Sequence, residues 1–432
     1  MSSPSPAPLV ALLLALALPK PAAAQGSLEA AWASAEAESL ELRQAQARTR
    51  EAGTLRLEAA SMQLARVSTQ WTAAFNDREI AVPEELLVGI DPSLTVPPLQ
   101  TREALGGSLT VTQPLLRAAL VPAVQAASRA WRAAQADEAQ VRQGLRAAVA
   151  RAYWGLVAAR AGEEVAQTNL ELAEAQAALA DRRIAAGLEG RRAGLQGRLG
   201  VSRASRELLA ATDAVAEAEA AWSTLFGEEP PTDLQAPPTP QVPTSLEEAL
   251  ATALARRPDL LAADQRWQAL RKQRAAEDLA WAPTLDLAFQ ARFNLNPTLF
   301  NPAPAQAGVG LQLNWDLFDG GLRIARSQQR KAQAGAARLE RDLRGRDARQ
   351  DVRLAWHRLQ RAGIAVEAVE AEVALAEEDL ELASRGLEAG AGTLFEVQGA
   401  RLSTAAARLA RIRERTARDL AAIDLLEAMG SL

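Results

Sequence analysis

The sequence predicts a mainly helical protein with a small β part made of four amphipathic strands. Three observations lead there. The chain is rich in Ala, Leu, Glu and Arg, residues that favour helices. Two long stretches keep a heptad seam for six heptads each, as packed helices require. Four short segments instead alternate apolar and polar residues, the pattern of a strand with one apolar and one polar face.

The strands come in two pairs. Val67, Thr69, Trp71, Ala73 and Phe75 alternate with Ser68, Gln70 and Thr72, predicting a strand at about 67–75. Leu109 and Val111 alternate with Thr110 and Thr112 in a second, about 109–116, which Pro114 interrupts. The third, about 285–295, runs through "LDLAFQARFNL", with only Ala288 apolar out of turn. In the fourth, about 309–318, Val309, Leu311, Leu313, Trp315 and Leu317 alternate with Gly310, Gln312, Asn314 and Asp316. Each is near the ~9–11 residues a tilted strand needs to cross a bilayer. Aromatics gather at their ends (Trp71, Phe75, Phe293, Phe300, Trp315, Phe318), where interfacial girdles stand in membrane barrels. A soluble sheet with one face on a helix fits the same alternation.

The helices are written twice. The seam runs from Leu145 through Val149, Ala152 and Leu156 to Ile184, with Glu163 its one break, and again from Ala348 through Val352, Ala355 and Leu359 to Leu387. With Val149 set on Val352, a gap-free register puts Gly187 on Gly390, Arg198 on Arg401 and Gly227 on Gly430. That register points to an internal duplication. Each half reads as a helix (about Leu28 to Leu64; about Leu246 to Ala280), two strands, a very long helix, a Gly break and another helix. Counted from Ala118 to Ala186, the long helix would extend ~100 Å at 1.5 Å per residue. Gly187 and Gly390 are expected as left-handed caps of a tight reversal. The domains expected are 25–227 and 245–432, joined by a Pro-rich linker, 228–244, whose composition forbids helix. Ser245 and Glu248 form a capping-box sequence. Ser27 begins the first half in the same way, with Ala30 in place of the Glu.

"LVALLLALAL" (Leu9 to Leu18), followed by the small-x-small site Ala22-x-Ala24, predicts an export signal over 1–24, although no Lys or Arg precedes the apolar core. Its loss would remove Lys20 and take the formal charge from −5 to −6. No other apolar run is long enough for a membrane-spanning helix.

Several functions are excluded. There is no Cys and one His, His357, so Cys-based metal sites, Cys nucleophiles and His-rich sites are out. No phosphate-binding glycine motif follows a strand; Gly187, Gly190, Gly194 and Gly197 have none before them. Basic residues interleave with acidic ones, which argues against nucleic acid. No nucleophile, base and orienting group can be assembled, so no enzyme, cofactor or resident metal is expected. His357 and the Trp residues 154 and 356 read as surface or packing residues.

An open strand edge cannot sit in lipid, and known barrels need at least about eight strands. If these strands cross a membrane, several chains must share one barrel. Its apolar face would touch lipid and its polar face a water-filled lumen.

Together the twofold order, "SLEEALATALARRPDL", "APTLDL" entering a strand, "LQLNWDLFDGG" leaving one and "EAGAGTLFEVQGARL" at a helical reversal resemble the TolC family of outer-membrane efflux proteins. The resemblance covers essentially the whole chain after the signal. It implies a homotrimer with a twelve-stranded β-barrel in outer-membrane lipid, continued by an α-helical coiled-coil barrel in the periplasm. It implies an exit duct for efflux or type I secretion, without chemistry of its own. The partners would be a periplasmic adaptor and an inner-membrane pump of the RND, ABC or a similar class. The adaptor would dock at the tips Ala186, Gly187, Leu188 and Ala389, Gly390, Ala391. Glu396 matches one of the acidic positions that narrow the family's pore; the other falls on Gly399. Gly190, Gly194, Gly197 and Gly200 depart from the family at the first tip, where close packing or a looser turn is expected. The alternative from another class is an exported coiled-coil scaffold with a small soluble β-domain.

Overall fold

Helix caps, seam periodicity and strand alternation all appear as folded elements. A computed structural model of the chain describes residues 27–83, 89, 96–232, 234 and 237–432. The expected signal segment, 1–24, lies outside the described residues. The first half runs α1 (Leu28–Glu38), α2 (Leu40–Ser61), β1 (Arg66–Phe75), β2 (Glu103–Leu116), α3 (Leu120–Ala185) and α4 (Arg191–Phe226). The second runs α5 (Leu246–Arg256), α6 (Pro258–Leu279), β3 (Thr284–Asn294), β4 (Ala305–Asn314), α7 (Leu322–Glu388) and α8 (Leu394–Met429). The order of elements is the same in both. Among the described residues no helix is long and apolar enough to cross a membrane.

The leading helix of each half is not continuous, as the sequence had suggested, but broken. Arg257, at φ −60 and ψ 119, precedes Pro258, whose ring drives the residue before it out of the helical region. Ser39 takes nearly the same dihedrals, φ −59 and ψ 119, without a proline. Both starts are capped by serine. The Ser27 hydroxyl accepts from the Ala30 N–H at 3.3 Å, and that of Ser245 from the Glu248 N–H at 3.2 Å. The Glu248 carboxylate returns to the Thr244 N–H, one residue before the cap.

The chain packs as two compact units. One holds residues up to Ser39, Leu145–Pro240 and Arg361–Ile423; the other holds Leu40–Gly144, Gln241–Gln360 and Asp424–Leu432. In the first, α3 and α4 form a hairpin locked by aromatics. Tyr153, Trp154, Trp222 and Phe226 are buried, and the Trp222 and Phe226 rings stack with centroids 4.2 Å apart. Trp154 is thus a packing residue. Thr212 of α4 donates to Glu163 at 3.0 Å, so the one polar seam position is satisfied by the facing helix. Every other seam residue of both long helices is buried or half-buried. In the second hairpin, Val373 and Ala376 of α7 meet Ala407 of α8, and the buried Thr404 hydroxyl donates to the Ala376 carbonyl at 2.9 Å. The linker is extended where described. Arg160 donates to its Pro231 carbonyl at 2.7 Å and Arg418 to its Thr239 hydroxyl at 3.1 Å.

In the second unit the helices are linked by side chains rather than by a deep core. Thr49 of α2 donates to the Ala134 carbonyl of α3. Arg129 of α3 reaches Gln265 of α6, and Arg341 of α7 reaches Asp264 of α6 while its guanidinium lies 4.5 Å from the Trp267 ring centre. One apolar cluster joins Ala249, Ala253, Val352, Ala355, Leu425 and Met429, with Trp356 against it. His357, next along, is exposed. The chain end is fitted to the α5–α6 break: Gly430, at φ +74, stands so close that a Cβ would lie 2.8 Å from Arg257 Cα.

The strand bounds differ from the sequence reading in two places. β2 begins at Glu103, six residues before the expected start, because Ala104, Gly106 and Gly107 mask the alternation that pairing with β1 and β3 imposes. It also continues past Pro114, through a register shift between Pro114 and Leu116; a proline in an inner strand is tolerated at such a bulge. β4 spans Ala305–Asn314 and not 309–318. Trp315 leaves the strand and its indole N–H donates to the Trp281 carbonyl at 3.1 Å. Leu425 is fully buried in the second unit's cluster. Leu425→Ala should lower stability by about 2–5 kcal/mol, read as an earlier thermal or denaturant midpoint of the detergent-solubilised protein.

Candidate functional site

The four strands form one antiparallel sheet in the order β1-β2-β3-β4. Directly paired residues of antiparallel strands share a face, so the register decides what each face is. Val67, Val111, Phe289 and Val309 fall in one row, and Thr69, Leu109, Ala291 and Ala307 in the next but one. The rows between hold Ser68, Thr110, Gln290 and Gly308. One face is therefore apolar on all four strands and the other polar or small. The apolar face is open on the outer strands: Val67 is 65% exposed, Trp71 67%, Val309 70% and Leu311 66%. Among the described residues no helix covers this face on the outer strands. Among the described residues β1 and β4 each pair on one side only.

An aromatic pair marks one end of the apolar face. Trp71 and Phe293 stand on either side of Gly107 and their rings lie nearly parallel, centroids 6.4 Å apart. A Cβ on residue 107 would come within 2.6 Å of the Trp71 ring, so glycine is what lets the indole lie across the sheet. At the other end stand Trp281, Trp315 and Phe318.

Two arginines fasten the sheet to the helices. Arg117, just after β2, makes a two-pronged pair with Asp286 of β3, at 3.1 and 2.8 Å. Asp286 is buried on the polar face, and this geometry is the strong form of an ion pair. Arg323, in the first turn of α7, is 7% exposed. It donates to Asp319 at 2.9 Å, to the Asp316 carbonyl at 2.5 Å and to the Ala280 carbonyl at 3.3 Å. Its guanidinium lies 4.2 Å from the Trp281 ring centre. Asp319 also accepts from the N–H groups of Gly321 and Arg323, capping α7. Loss of water around Asp319 would raise its pKa, but the hydrogen bonds and charge of Arg323 together hold it below the usual carboxylate value. The stretch "LQLNWDLFDGG" does not by itself reveal this joint. The only signal for it was an arginine placed at the start of a helix after a strand.

Both expected reversals lie at the expected residues. Gly187 has φ +73 and Gly390 φ +75, left-handed values that favour glycine. The bonds match one for one. Ala186 N–H donates to the Arg182 carbonyl, Gly187 to Ile184 and Leu188 to Arg183; Ala389 donates to Arg385, Gly390 to Leu387 and Ala391 to Gly386. This is the bonding of a Schellman cap. The helices that follow differ. On α4, a Cβ at Gly197 would lie 3.0 Å from Ala177 Cα and one at Gly194 2.9 Å from the Ile184 side chain, so these two glycines allow close approach to α3. At the matching places α8 has buried Val397 and Ala400. Gly200 has open space around it and nothing in the structure explains it.

The family model for the outer membrane efflux protein matches residues 98–228 and 249–431. The chain belongs to this family. The outer membrane efflux protein BepC of Brucella suis biovar 1 is 31% identical over 179 residues, an aligned stretch that spans 41% of this chain and 39% of that protein. Among solved structures, the open-state MtrE outer membrane channel of Neisseria gonorrhoeae has a TM-score of 0.74 at 19% identity, covering 94% of this chain and 89% of its own. The outer membrane protein VceC of Vibrio cholerae has a TM-score of 0.72 at 20% identity, covering 93% of this chain and 96% of its own. At such identities the likeness speaks for the fold.

In this family member Glu396 is exposed and sits beside the second reversal. Its carboxylate accepts from the Thr393 N–H at 2.9 Å, and its own N–H donates to the Thr393 hydroxyl at 3.3 Å. It closes a capping box that starts α8; the first reversal has Gly190 there, with no side-chain cap. Gly399 is exposed. The Asp319 joint gives a signed prediction. A carboxylate with a depressed pKa stabilises the fold above its ordinary value of 3.8 and loses that contribution as pH falls through the folded value. The parent should melt above Asp319→Asn at neutral pH. The gap should narrow below pH 3.8 and close in stronger acid, as followed by thermal melts across pH.

Proposed function

We propose that the protein is the outer-membrane exit duct of a tripartite efflux or type I secretion system. The observation that carries this reading is the two-faced sheet with an exposed apolar face and two open edges. Exposed apolar area costs roughly 25 cal/mol per Å² in water and nothing comparable in lipid. An unpaired backbone group in lipid costs several kcal/mol. Lipid therefore accepts the face but not the edges, so the edges of one copy must pair with those of another. Three copies of four strands make a twelve-stranded barrel, within the range of known barrels and in line with the family resemblance. The apolar face then meets outer-membrane lipid, and the polar face lines a lumen that the long helices continue into the periplasm.

Residues 1–24 serve as the export signal. The bond-for-bond likeness of the two reversals, and left-handed Gly227 and Gly430 at matched places, support the duplication of 25–227 in 245–432 across the linker 228–244. The reversals at Ala186, Gly187, Leu188 and at Ala389, Gly390, Ala391 dock a periplasmic adaptor, which joins the duct to an inner-membrane pump. The pump selects the cargo. Glu396 forms a ring of three carboxylates at the helical end of the pore. Without a second acid at Gly399 this ring narrows the passage less than two rings would. A scaffold with a water-soluble β-domain would need the apolar face covered, and the exposure of Val67, Trp71, Val309 and Leu311 stands against it.

The duct reading is tested by native mass. Full-length protein extracted in mild detergent should contain three chains per particle after correction for bound detergent. A monomer or dimer in the soluble periplasmic fraction would end the reading. The ring is tested separately. Glu396→Ala should change single-channel conductance or its block by cations, and should lower hairpin stability through the lost reciprocal bond of the capping box. Unchanged conductance and cation block would remove Glu396 from the pore.

A further inference from the structure

We propose that the strand section of the duct favours anions, and that Arg292 sets this preference. The inference rests on the duct reading, because it needs the sheet's polar face to line the lumen.

The sign is local. The whole chain is net acidic, at −5, yet the polar face of its sheet is not. The register assigns every charged strand residue to a face. Glu103 pairs with Phe75 and so lies on the apolar face, at its rim. Asp286 lies on the polar face but is held by Arg117 in a two-pronged pair. β4 carries no charge. Arg66, at the helical end of β1, and Arg292, towards the far end of β3, remain on the polar face. Neither makes an ion pair among the described residues. Among the described residues the strands thus offer the lumen no unpaired carboxylate and two guanidinium groups per chain that no carboxylate neutralises.

Of the two, Arg292 stands within the sheet. Its paired neighbours are Ser108 and Gln306, both uncharged, and its Nη2 donates to the Gln290 amide oxygen at 3.3 Å. Nearby, a Cβ at Gly308 or Gly310 would meet nothing within 4 Å. Together with Ala288 these small residues leave a hollow of about 480 Å³, which Arg292, Gln290 and Gln306 help to line. Nothing bulky shields the charge. A guanidinium presents a fork of donors that suits carboxylate, sulfonate or phosphate groups, and primary amides can donate beside it. In a trimer three such groups would face one lumen. A ring of one sign in a confined pore raises the local concentration of the opposite ion. At physiological salt the reach of each charge is about 8 Å, so the effect is confined to the strand section around Arg292.

The test is reversal potential in planar bilayers holding the purified full-length protein under a KCl gradient. With the Glu396 ring neutralised by Glu396→Gln, the channel should pass chloride more readily than potassium. Arg292→Gln should lower the chloride-to-potassium ratio by about twofold or more, and Arg292→Glu should lower it further. Gln306→Glu, which sets a carboxylate directly across from an unaltered Arg292, should lower it too, so the effect can be read without deleting the arginine. A Glu396→Gln channel that prefers potassium, or a ratio unmoved by Arg292→Gln and Gln306→Glu while channels still open, overturns the inference and leaves the duct standing. A parent that forms no channel at all overturns both.

Discussion

A sheet with one apolar and one polar face, whose outer strands are each paired on one side only among the described residues, is the constraint on which the rest depends. Apolar surface can be left in lipid, but backbone N–H and C=O groups cannot be left there unpaired. The register carries the first condition. It keeps Val67, Val111, Phe289 and Val309 on one side across all four strands, although β2 must absorb a proline by a bulge to stay in step. A slip of one residue would turn every strand over. The arginine joints hold the sheet in place against this. Arg117 clasps Asp286, and Arg323 gathers Asp319, two carbonyls and a tryptophan face within one turn.

The helices solve a different problem. A chain rich in alanine buries little area per contact, so apolar packing alone stabilises long helices weakly. Here the alanine seams let helices approach, and specific bonds fix which surfaces meet. Thr404 reaches the carbonyl of Ala376, Thr212 reaches Glu163, and arginines bridge between helices of the second unit. Large side chains appear where alignment must be unique, as with Tyr153, Trp222 and Phe226. The two hairpins share one reversal geometry but not one packing. Glycines bring α4 close to α3, while Val397 and Ala400 fill the same places on α8. In the proposed assembly this gives the two tips different surfaces, one lined with Leu188, Arg191 and Arg192, the other capped by Thr393 and Glu396.

Much of this was legible in the residues because each feature is local or periodic. Alternation named four strands, a heptad seam named the long helices, and two glycines in a common register named the reversals, since only a left-handed residue closes a Schellman cap cheaply. Family membership followed from the same ordered motifs. What stayed hidden depended on groups far apart in sequence. The early start of β2 was masked by Ala104, Gly106 and Gly107, which declare a strand only when β1 and β3 lie beside them. The pairing of Arg117 with Asp286 joins the two halves across 169 residues. Trp71 and Phe293 meet across Gly107, and no spacing rule connects them. The face that Arg292 shares with uncharged partners is likewise a property of the register. Sequence determined the elements, because backbone preference and side-chain period act over a few residues. Tertiary structure alone decided which charges are neutralised, which glycines admit a neighbour and which rows share a face, because those are set by distances in space that the chain order does not encode.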